Sequence, residues 1–269
     1  MTEPLYHITE GRVPVLVNVP HPGTYIPPEI ADRMTPVARQ VPDTDWFADR
    51  LAAVALDHGA SLMVATHSRY VVDLNRDPSG AVLYPGADNT GLVADTTFAY
   101  DPIYREGLAP DQREVAERVE RYWRPYHDRL YQELAKLKVI HGVAMLLDVH
   151  SIPSRAPRFF QGRLPDLNLG TADGASAAPG VVERVWRVCA DAEGFSAVKD
   201  GRFKGGYITR RYGQPEQNVH AVQIEIAQCA YMTEGPPWIW DAGKAAGIRD
   251  VIGQLVATML EWASHAKAA

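Results

Sequence analysis

Val143-Ala-Met-Leu-Leu-Asp-Val-His150 is almost continuously apolar until it reaches an acid and a histidine. A short run of this kind reads as a strand buried on both faces, as in a mainly parallel sheet. It ends at His150, and a polar, turn-rich segment follows through Ser176. Two further runs share its character. Val13-Pro-Val-Leu-Val-Asn-Val19 stops at the turn-dense Pro20-His-Pro-Gly-Thr-Tyr-Ile-Pro-Pro28, and His220-Ala-Val-Gln-Ile-Glu-Ile-Ala227 lies late in the chain. Ser61-Leu-Met-Val-Ala65 and Tyr70-Val-Val-Asp-Leu74 read as strands too, the second running into Asn75 and Arg76.

Helical periods lie between these runs. Trp46, Phe47, Leu51, Val54 and Ala55 recur at helical spacing until Gly59, with Asp43 or Thr44 as the cap, so Asp45 is predicted in the first turn. Val115, Val119, Tyr122, Trp123, Tyr126, Leu130 and Leu134 form one apolar stripe closed by His141-Gly142, with Pro125 as a kink or break. Residues 180–193 and about 240–263 also read as helices, and 201–213 as a glycine-bearing strand or hairpin. Residues 81–109 form an irregular excursion long enough to be functional, and whether it is a lid stays open. Strands alternating with helices predict an α/β fold of three layers, with a central mixed, mostly parallel sheet flanked by helices. At 269 residues one domain, 1–269, is expected.

Composition narrows the function. The hydrophobic share of 46% and charged share of 22% are those of an ordinary folded protein. A net charge of −6 argues against a nucleic-acid surface, which needs concentrated positive charge. No stretch approaches the roughly 18 apolar residues of a membrane span, so no membrane partner is expected. Cys189 and Cys229 are too few for a disulfide framework or a thiolate metal site, which suits a reducing cytoplasm. Any metal must rest on His, Asp or Glu.

Ligands of open α/β sheets gather beyond the carboxyl ends of strands. His21, the segment 73–76, Asp148, His150 and Glu225 all fall at or near such ends. His21 and His150 with the Asp45 carboxylate would give three ligands and an open position, a hydrolytic zinc pattern. Taken singly, each histidine also reads as a structural hydrogen-bonding residue. Asp43 is a rival carboxylate, although a helix cap explains it without function. Asp148 shares strand parity with His150 and could orient its imidazole. Glu225 sits in an apolar run where a charge needs a partner or a task, either as a general base or on an exposed face shared with Gln223. Arg69, Arg76, Arg202, Lys204, Arg210 and Arg211 supply positive charge around the same loops.

The ordered set Pro20-His21-Pro-Gly23, Asp43-Thr-Asp45-Trp46, Ser68-Arg69 through Asn75-Arg76, Asp148-Val-His150-Ser151, Gly201 through Arg210, and Gln223-Ile-Glu225 resembles the N-formylglutamate amidohydrolase family from about Val13 to Met232. The resemblance implies a metal-hydrolase fold related to zinc carboxypeptidases and aspartoacylase-like deacylases. It implies one divalent ion, with zinc as the default, held by His21, Asp45 and His150. Glu225 would stand at the catalytic glutamate, and Arg76 would polarise or bind the substrate beside Asn75. Arg69 and Arg210 would meet the carboxylates of a dianionic N-formylamino acid. The implied reaction is hydrolysis of N-formyl-L-glutamate to L-glutamate and formate, in histidine degradation. The alternatives are a deacylase for another N-acylamino acid and an inactive binding protein on the same fold. One departure matters: the relatives take a second ligand from a glutamate three residues after the first histidine, where this chain has Thr24, so Asp45 inherits that role.

Overall fold

In the computed structural model, which describes residues 3–83, 86 and 88–266, the apolar runs become neighbouring strands of one sheet. The seven strands are β1 (Tyr6–Thr9), β2 (Val15–Val19), β3 (Ser61–Ala65), β4 (Ala144–Ile152), β5 (Leu167–Gly170), β6 (Ala197–Lys199) and β7 (Val219–Ala227), in the order β1-β3-β2-β4-β7-β5-β6. β3, β2, β4 and β7 run parallel to one another, while β1 and β5 are antiparallel to β3 and β7. β6 pairs parallel to β5. The sheet is mixed and mostly parallel, as predicted. β1, β5 and β6 escape a reading of the sequence because three or four residues place at most two side chains on a face, too few to show alternation. A small antiparallel pair, β8 (Met232–Thr233) and β9 (Ile239–Trp240), lies apart from this sheet.

The helices are α1 (Pro28–Ala31), α2 (Ala48–Ala52), α3 (Gln112–Arg118), α4 (Arg124–His141), α5 (Pro179–Ala190), α6 (Tyr207–Tyr212) and α7 (Ala242–Ala266). Strand alternation divides the core in two. Val15, Val17 and Val19, then Met145, Leu147 and Val149, then Val222, Ile224 and Ile226 face a layer made by α2, α5 and α7. Leu16, Leu146 and Ala221 face Tyr126, Leu130, Leu134 and Leu137 of α4 on the other side. On this second face the strands turn polar toward their carboxyl ends, at Asn18, Asp148, His150, Gln223 and Glu225, all buried. The exposed-face reading of Gln223 and Glu225 is therefore excluded. Among the described residues no helix is long and apolar enough to cross a membrane.

Four sequence expectations change. Tyr70–Leu74 is buried but is a series of turns rather than a strand, because Val71 N–H bonds Ser68 O and Asp73 Oδ1 accepts the Asn75 N–H. α2 begins at Ala48, so Asp45 lies before the helix; Phe47, at φ 62°, sits left-handed at its start. Neither Asp43 nor Thr44 caps it, and Asp43 Oδ2 instead accepts the Phe98 N–H. Residues 207–212 form α6 rather than a strand or hairpin. Pro125 does not break its helix, since the preceding turn, Val119–Trp123, widens to π geometry and takes up the clash and missing donor that proline brings. The excursion at 81–109 contains no helix or strand among the described residues; 84, 85 and 87 lie outside them.

Candidate metal centre

Three chain segments meet beyond the carboxyl ends of β2 and β4. The turn after β2 presents His21, whose backbone carbonyl accepts the Asp45 N–H at 3.0 Å. The Asp45 segment is anchored on both sides. Gln228 donates to Thr44 O at 3.0 Å, and the Tyr231 hydroxyl bridges Trp46 O and Ser151 Oγ at 2.7 Å each. Ser151 N–H in turn donates to Asp45 Oδ2. Neither Gln228 nor Tyr231 is recognisable as a site residue in the sequence, because their bonds reach back more than 180 and about 80 residues.

One ligand atom each from His21, Asp45 and His150 lies within 4.8 Å of the other two, all three residues being buried. Ligands about 2 Å from one tetrahedral ion stand roughly 3.3 Å apart, so the three side chains would close in slightly to share an ion. His21 Nδ1 and Asp45 Oδ1 have no hydrogen-bond partner despite full burial. An unsatisfied buried polar atom costs about 1–3 kcal/mol, so two beside one another fit a cation between them. The far nitrogens are already engaged. His21 Nε2 meets Asp73 Oδ1 at 2.8 Å and His150 Nε2 meets Asp148 Oδ2 at 2.9 Å, which orients both rings with Nδ1 toward the centre. The Asp148–His150 contact expected from strand parity is present. Nothing in the sequence assigns Asp73 a role, and only the turn geometry carries it to His21.

Burial opposes charge on Asp73, yet Arg69, His21 and Arg76 outweigh it and hold its carboxyl well below the usual range. His21 is pushed down by burial and by Arg69, which favours the neutral imidazole, the form a metal ligand requires. Burial also opposes a charged His150, but Asp148, Asp45 and Glu225 push it well above its ordinary value. The same carboxylate field favours a cation at its Nδ1. Glu225 pairs in register with His150 across β4 and β7. Burial pushes its carboxyl up, reinforced by Asp45 and Asp148 and opposed by His150 and Arg69.

A cavity opens over this centre, lined by His21, Asp45, His150, Glu225, Arg69, Asn75, Arg76 and Arg202 among others. Arg69 donates to Asp73 Oδ2 at 2.7 Å and lies 3.7 Å from Asp45 Oδ1. Arg76 donates to Thr90 O, Thr90 Oγ1 and Asn75 O, and Trp123 Nε1 holds the Arg76 carbonyl. Asn75 Nδ2 lies 3.0 Å from His150 Nε2, and Asn75 Oδ1 accepts the Ile208 N–H. Arg210 is brought elsewhere. It lines a neighbouring cavity with Tyr207 and Arg211 that, among the described residues, shares Asn75, Arg76 and Leu83 with the cavity over His21 and His150. α6 explains this, because a strand at 207–212 would have sent alternate side chains to both sides.

Gly206 fits closely against Asn75: a Cβ there would stand 2.2 Å from Asn75 Nδ2. Gly206→Ala is therefore expected to displace the Asn75 amide, lower stability by about 1–3 kcal/mol and reduce kcat/KM. Thermal unfolding beside steady-state kinetics measures both. Unchanged values would show that this contact does not set the position of Asn75.

A sequence profile of N-formylglutamate amidohydrolases matches residues 13–232. The chain belongs to the N-formylglutamate amidohydrolase family. It is 50% identical over 252 residues to an N-formylglutamate deformylase of Pseudomonas aeruginosa, covering 94% of each chain. To an N-formylglutamate deformylase of Pseudomonas putida it is 45% identical over 256 residues, covering 95% of this chain and 96% of the other. The crystal structure of N-formylglutamate amidohydrolase from Ralstonia eutropha superposes with a TM-score of 0.81 at 27% identity, covering 97% of this chain and 99% of that one. A gene product of Agrobacterium tumefaciens shares the fold, with a TM-score of 0.70 at 17% identity, over 96% of this chain and 95% of that one. The span matched by the family profile contains every residue of the centre, from His21 to Glu225.

Proposed function

We propose that this chain hydrolyses N-formyl-L-glutamate to L-glutamate and formate with one divalent ion, zinc, held by His21, Asp45 and His150. One observation carries the reading: in a chain of this family, those three donors converge beside a buried glutamate, with two of their atoms lacking a hydrogen-bond partner. Two imidazoles and a carboxylate are the donor set of hydrolytic zinc sites. When bound, the ion supplies Lewis-acid polarisation of oxygen and eases ionisation of water at neutral pH.

Glu225 accepts the proton of the water that attacks the formyl carbon. It returns that proton to nitrogen as the C–N bond breaks, so the amine leaves as glutamate and the acyl part as formate. Arg76, fixed by Thr90 and Asn75, faces the cavity beside the centre and stabilises the oxyanion or the carboxylate next to the scissile amide. Arg69 shares that cavity and contributes positive potential through its pairing with Asp73, while Arg210 acts on the approach from the adjoining cavity. The family resemblance supports a role for this reaction in histidine degradation. Two free cysteines suit a reducing cytoplasm.

Steady-state comparison of N-formylglutamate, N-formylaspartate, N-formylleucine and N-acetylglutamate tests the assignment, with metal analysis on the same preparation. N-formylglutamate is expected to have the highest kcat/KM, because a site built for the second carboxylate leaves its cation unpaired with a neutral side chain. One ion per chain is expected, with activity lost on chelation and restored by zinc. Equal efficiency on N-formylleucine, or faster cleavage of N-acetylglutamate, overturns the substrate; full activity in the chelated protein overturns the metal.

A further inference from the structure

The substrate proposed above carries two negative charges into a region already dense in acid. Asp45, Asp73, Asp148 and Glu225 are all buried around the centre. Cations that serve the substrate must therefore be distinct from those that balance these carboxylates. Arg69 belongs to the centre, paired at 2.7 Å with Asp73 and standing 3.7 Å from Asp45. Arg76 lines the same cavity and follows Asn75, whose amide touches His150, so it is tied to the centre through its neighbour. Arg210 lines the other cavity.

We propose that Arg202, in the loop between β6 and α6, binds the side-chain carboxylate of N-formylglutamate and sets the preference for an acidic side chain. This rests on the reading that N-formylglutamate is the substrate. Arg202 lines the same cavity as His21, His150 and Glu225 and is only partly buried, so a ligand reaches it. Its Nε–H donates to Phe159 O at 2.7 Å, and Nη2 donates to Asp88 O at 3.3 Å. These two carbonyls help to orient the guanidinium in the cavity wall. The Phe159 and Phe203 rings lie 5.8 and 5.4 Å from the guanidinium carbon and line the same cavity. Those contacts are to residues away from the metal centre, whereas Arg76 is linked to it through Asn75. The arrangement matches a glutamate side chain, with phenyl walls for two methylenes and a planar cation for the terminal carboxylate.

N-formylglutamine, which has the same shape and a neutral end, separates this role from a structural one. The wild type should prefer N-formylglutamate. Arg202→Gln, which retains a donor for the Phe159 carbonyl, should lower kcat/KM on N-formylglutamate roughly 10- to 100-fold, mainly through KM, and leave N-formylglutamine little changed. Arg202→Lys should fall between, since an ammonium keeps charge without the planar fork. If Arg202→Gln does not fold, a selective rise in KM for N-formylglutamate in Arg202→Lys carries the test. Wild-type selectivity in the folded variants, or equal loss on both substrates, overturns the role of Arg202 while the wild type still cleaves N-formylglutamate. A wild type that leaves N-formylglutamate intact overturns the substrate reading and this inference together.

Discussion

Glu225→Gln is expected to keep fold and metal while turnover falls roughly 10²- to 10⁴-fold, the usual contribution of a positioned base. The side chain is buried, its residue pairs in register with His150, and Gln223 Nε2 lies 3.3 Å from Oε2. An amide has the same shape and meets the same neighbours, so packing changes little. What disappears is the site that accepts a proton. The burial and neighbouring carboxylates that push Glu225 upward make its ionised form a stronger base than a surface glutamate, and the amide has no counterpart to this. Measurement of kcat at saturating N-formylglutamate, with metal content from the same sample, decides the matter. Near-normal turnover would move the role of base to another carboxylate, with Asp148 the first to examine.

His150→Ala acts on the centre itself. It removes a proposed ligand, and it also strips Asp148 of the imidazole at 2.9 Å and Asp45 of the one at 3.2 Å. Asp148 would keep only the Asn18 amide at 2.7 Å among its described partners. A buried carboxylate deprived of its cationic partner destabilises a fold by about 3–5 kcal/mol. The variant is therefore expected to lose stoichiometric metal, to fall to background activity and to unfold at a markedly lower temperature. Stoichiometric metal retained in folded His150→Ala would remove His150 from the ligand set.

The sequence by itself determined the layers and most of the centre. Runs buried on both faces announce the central parallel strands, because few other environments accept a short unbroken apolar run such as Val143–Leu147 beside Gly and Pro turns. Histidines and acids at the ends of those runs announce a site, since strand ends are where an α/β sheet exposes side chains to one another. His21, His150, Asp148 and Glu225 are legible on that ground. Asp45 is legible only by resemblance and by elimination, since its expected helical turn is not helical.

Tertiary structure decided what periodicity cannot carry. Tyr70–Leu74 has the composition of a strand, yet Ser68 and Asp73 turn it, and that turn delivers Asp73 to His21. Residues 201–213 look like an extended glycine-bearing segment, yet residues 207–212 coil into α6, which places Arg210 in one cavity while Arg202 lines the other. The anchors on Asp45, Gln228 and Tyr231, come from the end of the matched region through bonds to backbone carbonyls. Periodicity reports how one segment meets the core. Which side chains share a cavity depends on strand order, register and the path of turns between strands, and these are set by contacts between residues far apart in the chain.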